Sequence, residues 1–140
     1  MVYVDTSVLI ALYTREAKST DVSKWYASCA DELVSAAWCV SEFASALGIK
    51  QRTRQLNATE AQTIWLQFER MCANDLQLLP VAHAAFHRAA VLSLDALSGL
   101  RSGDALHLAV ALENKVRTLA TLDEVLAKNA LQLKLKLATI

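Results

Sequence analysis

The chain has 140 residues, 54% of them hydrophobic, and its 14 basic and 14 acidic side chains give a net charge of zero. A chain of this length can bury most of its apolar surface around one core, so we expect one domain over residues 1–140 and no second domain. The balanced charge provides no general attraction to nucleic acid or to an anionic membrane, so any such contact needs a local patch.

The cysteines and the N-terminal segment indicate the cellular compartment of the protein. Cys29, Cys39 and Cys72 are odd in number and show neither a CxxC pair nor a zinc-ligand spacing, so we expect free thiols in a reducing environment. The segment MVYVDTSVLIALYT has no basic leader and contains Asp5, which argues against a signal peptide. No apolar run reaches the ~18 residues of a membrane span. These features predict a soluble cytoplasmic protein without membrane contact.

The first half of the chain alternates short apolar runs with helical patterns. Val2–Val4 is β-branched and aromatic and stops at Asp5, which is typical of a strand buried on both faces. A helix that carries Val40, Phe43 and Leu47 on its apolar stripe, with Glu42 off the stripe, follows the second strand. The other elements expected here are helices at 6–13 and 20–30, a strand at 33–37, and a helix at 59–73 that opens with a Thr59-x-x-Gln62 capping box.

The second half continues the alternation. A helix over 82–97 is expected to turn Phe86 inward with its apolar neighbours. The remaining expected elements are strands at 76–81 and 116–121, helices at 103–114 and 122–130, and a weak fifth strand at 133–137. Strands that alternate with helices predict a three-layer α/β/α domain around a central parallel sheet of four to five strands.

Four acidic residues fall where such a sheet would bind a ligand, beyond the carboxyl ends of its strands. Asp5 follows the first strand, Asp123 follows the fourth, Asp104 begins a helix, and Glu42 lies in the first turns of the helix after the second strand. Each aspartate alone is explained by helix capping, and Glu42 alone by solvent exposure. The set of four is harder to explain in that way.

Four carboxylates at one edge repel one another, and such an arrangement persists when a cation neutralises it or when some of the acids are protonated. Mg²⁺ and Mn²⁺ prefer carboxylate and water oxygens, and a water held by such an ion can be activated against a phosphodiester. The sequence has no His/Cys cluster that would favour zinc. A Mg²⁺ or Mn²⁺ site is therefore the expectation.

Four segments in order make the sequence recognisable: VDTSVLI at 4–10, SEFASAL at 41–47, RSGDALHLAVA at 101–111 and TLDEVL at 121–126. Their succession and strand–helix context resemble the PIN-domain ribonucleases, and in particular the VapC-type toxins of prokaryotic toxin–antitoxin pairs. The resemblance covers almost the whole chain. It implies that the catalytic and metal-binding carboxylates are Asp5, Glu42, Asp104 and Asp123, with Thr6, Ser7 and Thr121 as nearby hydroxyls.

The resemblance also implies an activity and partners. It predicts a Mg²⁺- or Mn²⁺-dependent endoribonuclease that leaves 5′-phosphate and 3′-hydroxyl ends, binds a cognate antitoxin protein and forms a homodimer. The basic run Lys50, Arg52 and Arg54 could contact RNA phosphates, although it suits the negative end of the helix dipole equally well. The hydroxyls of Thr6 and Thr121 could instead form cap or turn hydrogen bonds.

Two other classes of function remain to be compared. Phosphoryl-aspartate enzymes also place Asp after their first strand, but the phosphatases among them need a second Asp at the position of Ser7, and receiver domains need paired acids that are absent here. A PIN-like binding module without catalysis would be expected to lack some of the acids, and none is missing. His107 stands one turn after Asp104, and we expect it to orient a neighbour or to pack rather than to act as the general base.

Overall fold

Five strands and seven α-helices make up the chain, and the computed structural model describes all residues from 1 to 140. The strands are β1 (Val2–Val4), β2 (Leu33–Ala36), β3 (Leu76–Leu79), β4 (Thr118–Ala120) and β5 (Lys136–Leu137). The helices are α1 (Thr6–Tyr13), α2 (Ser19–Ser28), α3 (Trp38–Arg52), α4 (Ala58–Asn74), α5 (His83–Leu94), α6 (Ser102–Glu113) and α7 (Glu124–Gln132).

The strands form one parallel sheet in the order β3-β2-β1-β4-β5. From β1 the chain adds strands on one side through β2 and β3, and then returns to pair β4 with the other side of β1. In a parallel sheet this change of direction opens a crevice beyond the carboxyl ends of the two strands concerned. The topology therefore places the residues that follow β1 and β4 side by side.

Two apolar layers cover the sheet, one on each face. Because successive side chains of a strand point to opposite faces, Tyr3 of β1 packs in the layer with α5, α6 and α7, while Val2 and Val4 pack in the layer with α1 to α4. All three residues are buried. The predicted three-layer α/β/α architecture with a parallel sheet is confirmed.

Most elements lie where the sequence predicts them, but several ends differ. The capping box of α4 is formed by Asn57 and Glu60, not by Thr59 and Gln62, so the helix begins at Ala58. The Asn57 side chain accepts from the Glu60 amide at 2.8 Å, and amide oxygens are as good as hydroxyls at this position. The capping pair predicted from the sequence was therefore wrong by two residues.

The helix expected at 82–97 ends at Leu94, and a short 3₁₀ turn, Ala96–Ser98, follows it. Gly99 comes next with φ 68°, a left-handed conformation that other residues rarely adopt. Phe86 is 54% exposed, so its predicted inward orientation was wrong.

The last helix and strand are also shifted along the chain. Helix α7 extends to Gln132 and leaves only Lys136–Leu137 for β5, which pairs with β4. None of the helices combines the length and the apolarity that crossing a membrane would require.

Candidate functional site

Asp5 lies directly after β1, where it is the N-cap of α1. Its Oδ2 accepts hydrogen bonds from the Ser7 hydroxyl at 2.6 Å and from the Thr121 hydroxyl at 2.9 Å, while Oδ1 lies 3.8 Å from Nε2 of His107. The residue is only 5% exposed. Two hydroxyls on one oxygen fix the side-chain rotamer and leave the other oxygen directed into the site.

The same hydroxyls bind the loop after β4 to the start of α1. Ser7 Oγ accepts from the Leu122 amide at 3.0 Å, and Thr121 Oγ1 accepts from the Asp123 amide at 3.0 Å. Thr121 therefore contacts Asp5 and Asp123 at once. Because β1 and β4 are neighbours in the sheet, residues more than a hundred positions apart in the sequence become adjacent.

Glu42 approaches from the second turn of α3. Its Oε1 accepts from Thr6 Oγ1 at 2.6 Å and also from Nε2 of His107. Burial raises the pKa of Glu42. The hydrogen bond and charge of His107, together with Thr6 and Trp38, lower this pKa by a larger amount, so the net shift is downward. Glu42 is thus held as a carboxylate.

His107 lies beneath this carboxylate and is fully buried. Nδ1 of the ring is 2.7 Å from the Tyr3 hydroxyl, and Nε2 is hydrogen-bonded to Glu42. Burial lowers the pKa of His107, but the hydrogen bond to Glu42 and the negative charges of Asp5, Glu42 and Asp104 raise it above its usual value. A ring engaged at both nitrogens orients its neighbours, in line with the sequence-based expectation.

Asp104 and Asp123 complete the acidic edge. Asp104 stands in the first turn of α6, and its pKa is raised by burial and by the negative charges of Asp123, Asp5 and Glu42, with a smaller opposing effect of His107. Asp123 is the N-cap of α7, and its Oδ1 accepts from the Leu126 amide at 2.7 Å. The structure therefore brings all four sequence-predicted acids to one edge, where they repel one another.

The arrangement fits a hard divalent cation by its chemistry and its charge. The acids offer only oxygen ligands. The pKa of Asp104 is raised first by burial and then by the negative charges of its neighbours, a repulsion that a cation would relieve. As the side chains stand, no group of three or more His, Cys, Asp or Glu residues is arranged to hold an ion. The carboxylates therefore need to move toward a bound cation, and Asp104 is only partly buried.

A groove of about 480 Å³ opens beside the acids. Thr6, Ser7 and Glu42 line one end of it, and Glu16 and Lys18, from the loop between α1 and α2, line the other. The groove therefore joins the acidic edge to a wall that carries both signs of charge.

The predicted basic patch is only partly available. Lys50 is 7% exposed, and its amine is bonded to Glu16 Oε1 at 2.5 Å and lies 3.4 Å from Gln55 Oε1. Arg52 and Arg54 are exposed. The sequence left Lys50 open as a possible RNA contact, but its burial and its ion pair remove it from the residues that can reach a phosphate in this conformation.

Two residues near the site were missed by sequence reasoning. The Tyr3 hydroxyl contacts His107, yet in the sequence Tyr3 is only the aromatic member of a buried strand. The Trp38 side chain helps to lower the pKa of Glu42, and the residue is 38% exposed. The spacing of Trp38 and Glu42, four residues apart on one helix, was the signal that could have identified it.

Solved structures share this fold across nearly the whole chain. VapC20 from Mycobacterium tuberculosis, described as a Sarcin-Ricin loop cleaving toxin, is 15% identical with a TM-score of 0.76, over 92% of this chain and 95% of its own. FitAcB from Neisseria gonorrhoeae is 17% identical with a TM-score of 0.74, over 99% and 97%. VapBC2 from Rickettsia felis, bound to a DNA fragment from their promoter, is 12% identical with a TM-score of 0.63, over 99% and 98%.

No curated protein sequence matches the chain significantly. The family model described as "PIN domain" matches residues 2–131, a range that includes every strand except β5 and all four acids of the site. The chain therefore belongs to the PIN domain family.

Proposed function

We propose that this chain is a metal-dependent endoribonuclease that hydrolyses RNA phosphodiester bonds and acts as the toxin of a toxin–antitoxin pair. The observation that carries the proposal is the cluster of four carboxylates at the carboxyl edge of the sheet. Helix capping accounts for Asp5 and Asp123 but not for Glu42, which lies within α3, or for Asp104, which follows the N-cap of α6. A metal site accounts for all four.

The residues that would hold Mg²⁺ or Mn²⁺ are Asp5, Glu42, Asp104 and Asp123. When bound, such an ion polarises a water molecule and offsets the charge that develops on the phosphate. The chain's own contribution is to fix the ligands before substrate arrives, because preorganised groups cost no rearrangement during the reaction. Of the neighbouring hydroxyls, Ser7 and Thr121 hold Asp5, and Thr6 holds Glu42, together with His107.

The groove supports a polymeric substrate. It runs from Glu42 to Lys18, whose side chain is about half exposed and could contact a phosphate of the RNA backbone. Arg52 and Arg54 provide further exposed cations at the end of α3. The description of VapC20 as a toxin that cleaves the Sarcin-Ricin loop supports RNA as the substrate class. The net charge of zero implies that affinity for RNA outside the groove is weak.

We also propose a cognate antitoxin protein and a homodimer. The relatives from Neisseria gonorrhoeae and Rickettsia felis were solved as FitAB and VapBC2 with DNA, which supports a two-component assembly. Phe86, Leu94 and Leu97 are 54%, 83% and 90% exposed, and apolar side chains in such number favour a protein–protein contact. The free Cys29, Cys39 and Cys72 suit the cytoplasm, where thiols stay reduced.

A PIN-like module that binds RNA or protein without catalysis is the alternative. It has no need of a carboxylate metal site, so titration calorimetry with Mn²⁺ discriminates between the two. Binding that is lost in Asp104→Asn supports the nuclease, whereas no binding by the unaltered chain supports the module.

The decisive experiment is cleavage of total cellular RNA with mapping of the new ends. We expect Mn²⁺-dependent cuts with 5′-phosphate and 3′-hydroxyl ends, abolished by EDTA and by Asp5→Asn. Asp75→Asn is the matched control, because Asp75 is an exposed acid that precedes β3, at the opposite edge of the sheet, and does not line the groove. Equal cleavage by the Asp5 variant and the unaltered chain would reject the proposed function.

A further inference from the structure

The buried ring of His107 has a polar partner at each nitrogen, and one of these partners has no part in the proposed reaction. Nε2 faces Glu42, a proposed metal ligand, whereas Nδ1 faces the hydroxyl of Tyr3 at 2.7 Å on the opposite side of the ring. Both Tyr3 and His107 are fully buried, so water cannot replace either contact. Each hydrogen in this set therefore has to be assigned to one of the protein's own groups.

The hydrogens can be assigned from the outer ends of the chain of contacts inward. A carboxylate only accepts, so Nε2 of His107 must donate to Glu42. At the other end, the backbone amide of Ala36 donates to the Tyr3 oxygen at 3.0 Å. When the ring is neutral, this leaves Nδ1 as its bare, accepting nitrogen, and the Tyr3 hydroxyl hydrogen is free to point at it. Every donor and acceptor in the set is satisfied in this way.

We propose that Tyr3 is a positioning residue for the metal site: in the neutral form of the ring its hydroxyl donates to Nδ1 of His107, which keeps the single ring hydrogen on Nε2 and directs it at Glu42. With the hydrogen on Nδ1 instead, a bare Nε2 lone pair would face the carboxylate oxygen, and Glu42 would be pushed away. The inference rests on the proposed function, because Glu42 is a metal ligand only under that proposal. It assigns to Tyr3, a residue of the buried strand β1, a part in orienting Glu42.

The hydroxyl, not the ring, carries this role. The rings of Tyr3 and His107 meet edge to face, with centroids 5.7 Å apart and an interplanar angle of 77°. Phenylalanine would keep this packing and lose only the oxygen, so Tyr3→Phe isolates the proposed contact. Tyr13→Phe is the matched control, because Tyr13 is a half-buried tyrosine that meets Phe43 edge to face in the other apolar layer, and its oxygen makes no hydrogen bond.

The first readout is the tautomer of His107 in the metal-free protein, measured by ¹⁵N NMR of the imidazole at alkaline pH, where the ring is neutral. We expect the unaltered chain and Tyr13→Phe to show a hydrogen on Nε2 and a bare Nδ1. Tyr3→Phe should show a mixture of the two tautomers. This readout needs neither metal nor activity, and the spectrum of the unaltered chain tests the assignment even if Tyr3→Phe fails to fold.

The second readout is Mn²⁺ affinity by calorimetry, with RNA cleavage beside it. Loss of a group that orients a metal ligand typically weakens affinity or activity by about 10- to 100-fold, and we expect a loss in that range for Tyr3→Phe. In cleavage, kcat should fall and KM should change little, because Tyr3 does not line the groove. A merely structural role would lower the melting temperature and leave the Mn²⁺ affinity of the folded protein unchanged.

Two results would overturn the inference: a hydrogen on Nδ1 of the neutral ring in the unaltered chain, or a folded Tyr3→Phe variant with unaltered tautomer and unaltered Mn²⁺ affinity. Failure of the proposed function has a different signature. If the tautomer shifts as expected but the unaltered chain neither binds Mn²⁺ nor cleaves RNA, the Tyr3–His107 contact is supported and the nuclease proposal is rejected.

Discussion

Thr6 Oγ1 donates a 2.6 Å hydrogen bond to Glu42 Oε1, which joins the first turn of α1 to the second turn of α3. Thr6 is 7% exposed, so little water can take the place of its hydroxyl. Because Asp5 precedes Thr6 in the chain, this one contact sets the distance between two of the proposed ligands. The sequence alone left this hydroxyl open between a cap and a site contact.

Thr6→Val keeps the shape of the side chain and removes the donor. We expect the free energy of unfolding to fall by about 1 to 2 kcal/mol, because hydrogen bonds to charged groups contribute more than neutral ones and Glu42 is partly solvated. Mn²⁺ affinity should fall as well, since the Thr6 hydroxyl no longer orients Glu42. Chemical denaturation and calorimetry measure the two effects. Thr63→Val, an exposed threonine bonded only to a backbone carbonyl of α4, should change neither by a comparable amount.

Gly103 precedes Asp104 in α6, and its missing side chain makes room for Glu42. A Cβ at this position would lie 3.1 Å from Glu42 Oε2 and 3.3 Å from Trp38 Nε1. We expect Gly103→Ala to displace the carboxylate by a few tenths of an ångström and to lower the cleavage rate. The helix gains up to ~1 kcal/mol from alanine, so stability should hardly fall. Kinetics and thermal melting together test this separation of activity from stability.

Gly48→Ala is the control for this substitution. Gly48 lies inside α3, and a Cβ there would meet only the end of the flexible Arg52 side chain, at 3.3 Å. Alanine should stabilise the helix and leave cleavage unchanged. Equal activity of both glycine variants would show that Glu42 tolerates displacement and that its exact position does not limit the reaction.

The raised pKa of Asp104 gives a pH dependence with a definite sign. A carboxyl whose pKa is raised on folding contributes its full stability below its unfolded value of about 4, and that contribution is lost as the pH rises through the folded pKa. Asp104→Asn does not titrate. As the pH rises from acidic to neutral, the metal-free variant should therefore become more stable relative to the unaltered chain.

Urea denaturation in EDTA, once at acidic pH and once at neutral pH, measures this difference in stability. Added Mn²⁺ should then stabilise the unaltered chain and not the variant, because a ligand bound only by the native state raises stability by mass action. A metal-free Asp104→Asn protein that is much less stable than the unaltered chain at neutral pH would identify Asp104 as a structural residue of α6. The repulsion argument would then be wrong.

Much of the acidic edge follows from local pattern. Asp5 directly follows one apolar strand, and Asp123 lies three residues after the end of another. Carboxyl ends of parallel strands share one edge of a sheet, so the proximity of the two acids could be predicted before any coordinates. The Tyr3–His107 contact could not, because it joins residues 104 positions apart and depends on β1 packing against α6. The helix and strand periodicities of the sequence do not predict such a contact.

Burial of individual side chains was also beyond the sequence. Phe86 lies on the apolar stripe of α5, but that helix packs chiefly on α6, so only the centre of the stripe is covered and Phe86 stays 54% exposed. Lys50 shows the reverse, because Glu16 meets it from the loop between α1 and α2 and gives the buried lysine a counterion. Helical periodicity predicts which face of a helix is apolar, but not how much of that face a neighbouring element covers.

Burial raises the pKa of the Cys39 thiol to about 12, because the uncharged form is strongly favoured in the apolar layer where Cys39 lies. Thiolates, not thiols, react with alkylating reagents, so Cys39 should stay unmodified in the native protein at mildly alkaline pH. Cys29 and Cys72 are partly exposed and should react first. Mass spectrometry after timed alkylation checks the order, and modification of Cys39 at the rate of Cys29 would show that this layer opens readily.

The ion pair of Lys50 and Glu16 is asymmetric, since the lysine side chain is 9% exposed and the glutamate side chain is 41% exposed. Removing one partner of a buried pair is costly when the charge that remains is buried, and cheap when water can solvate it. Glu16→Gln leaves the buried Lys50 ammonium without its counterion, and we expect it to lower the free energy of unfolding by about 2 to 4 kcal/mol. Lys50→Met leaves only Glu16, which can turn to solvent, and should cost less than about 1 kcal/mol.

The double variant tests the asymmetry. Once Lys50→Met has removed the buried charge, the further change Glu16→Gln should cost almost nothing, so the double variant should be more stable than Glu16→Gln alone. Chemical denaturation of the four proteins completes the cycle. Because Glu16 brings a negative charge to the groove, Glu16→Gln should also lower KM for RNA while kcat changes little. Equal destabilisation by the two single variants would show that water reaches Lys50, and the ion pair would then be an ordinary surface contact that does not hold the loop between α1 and α2.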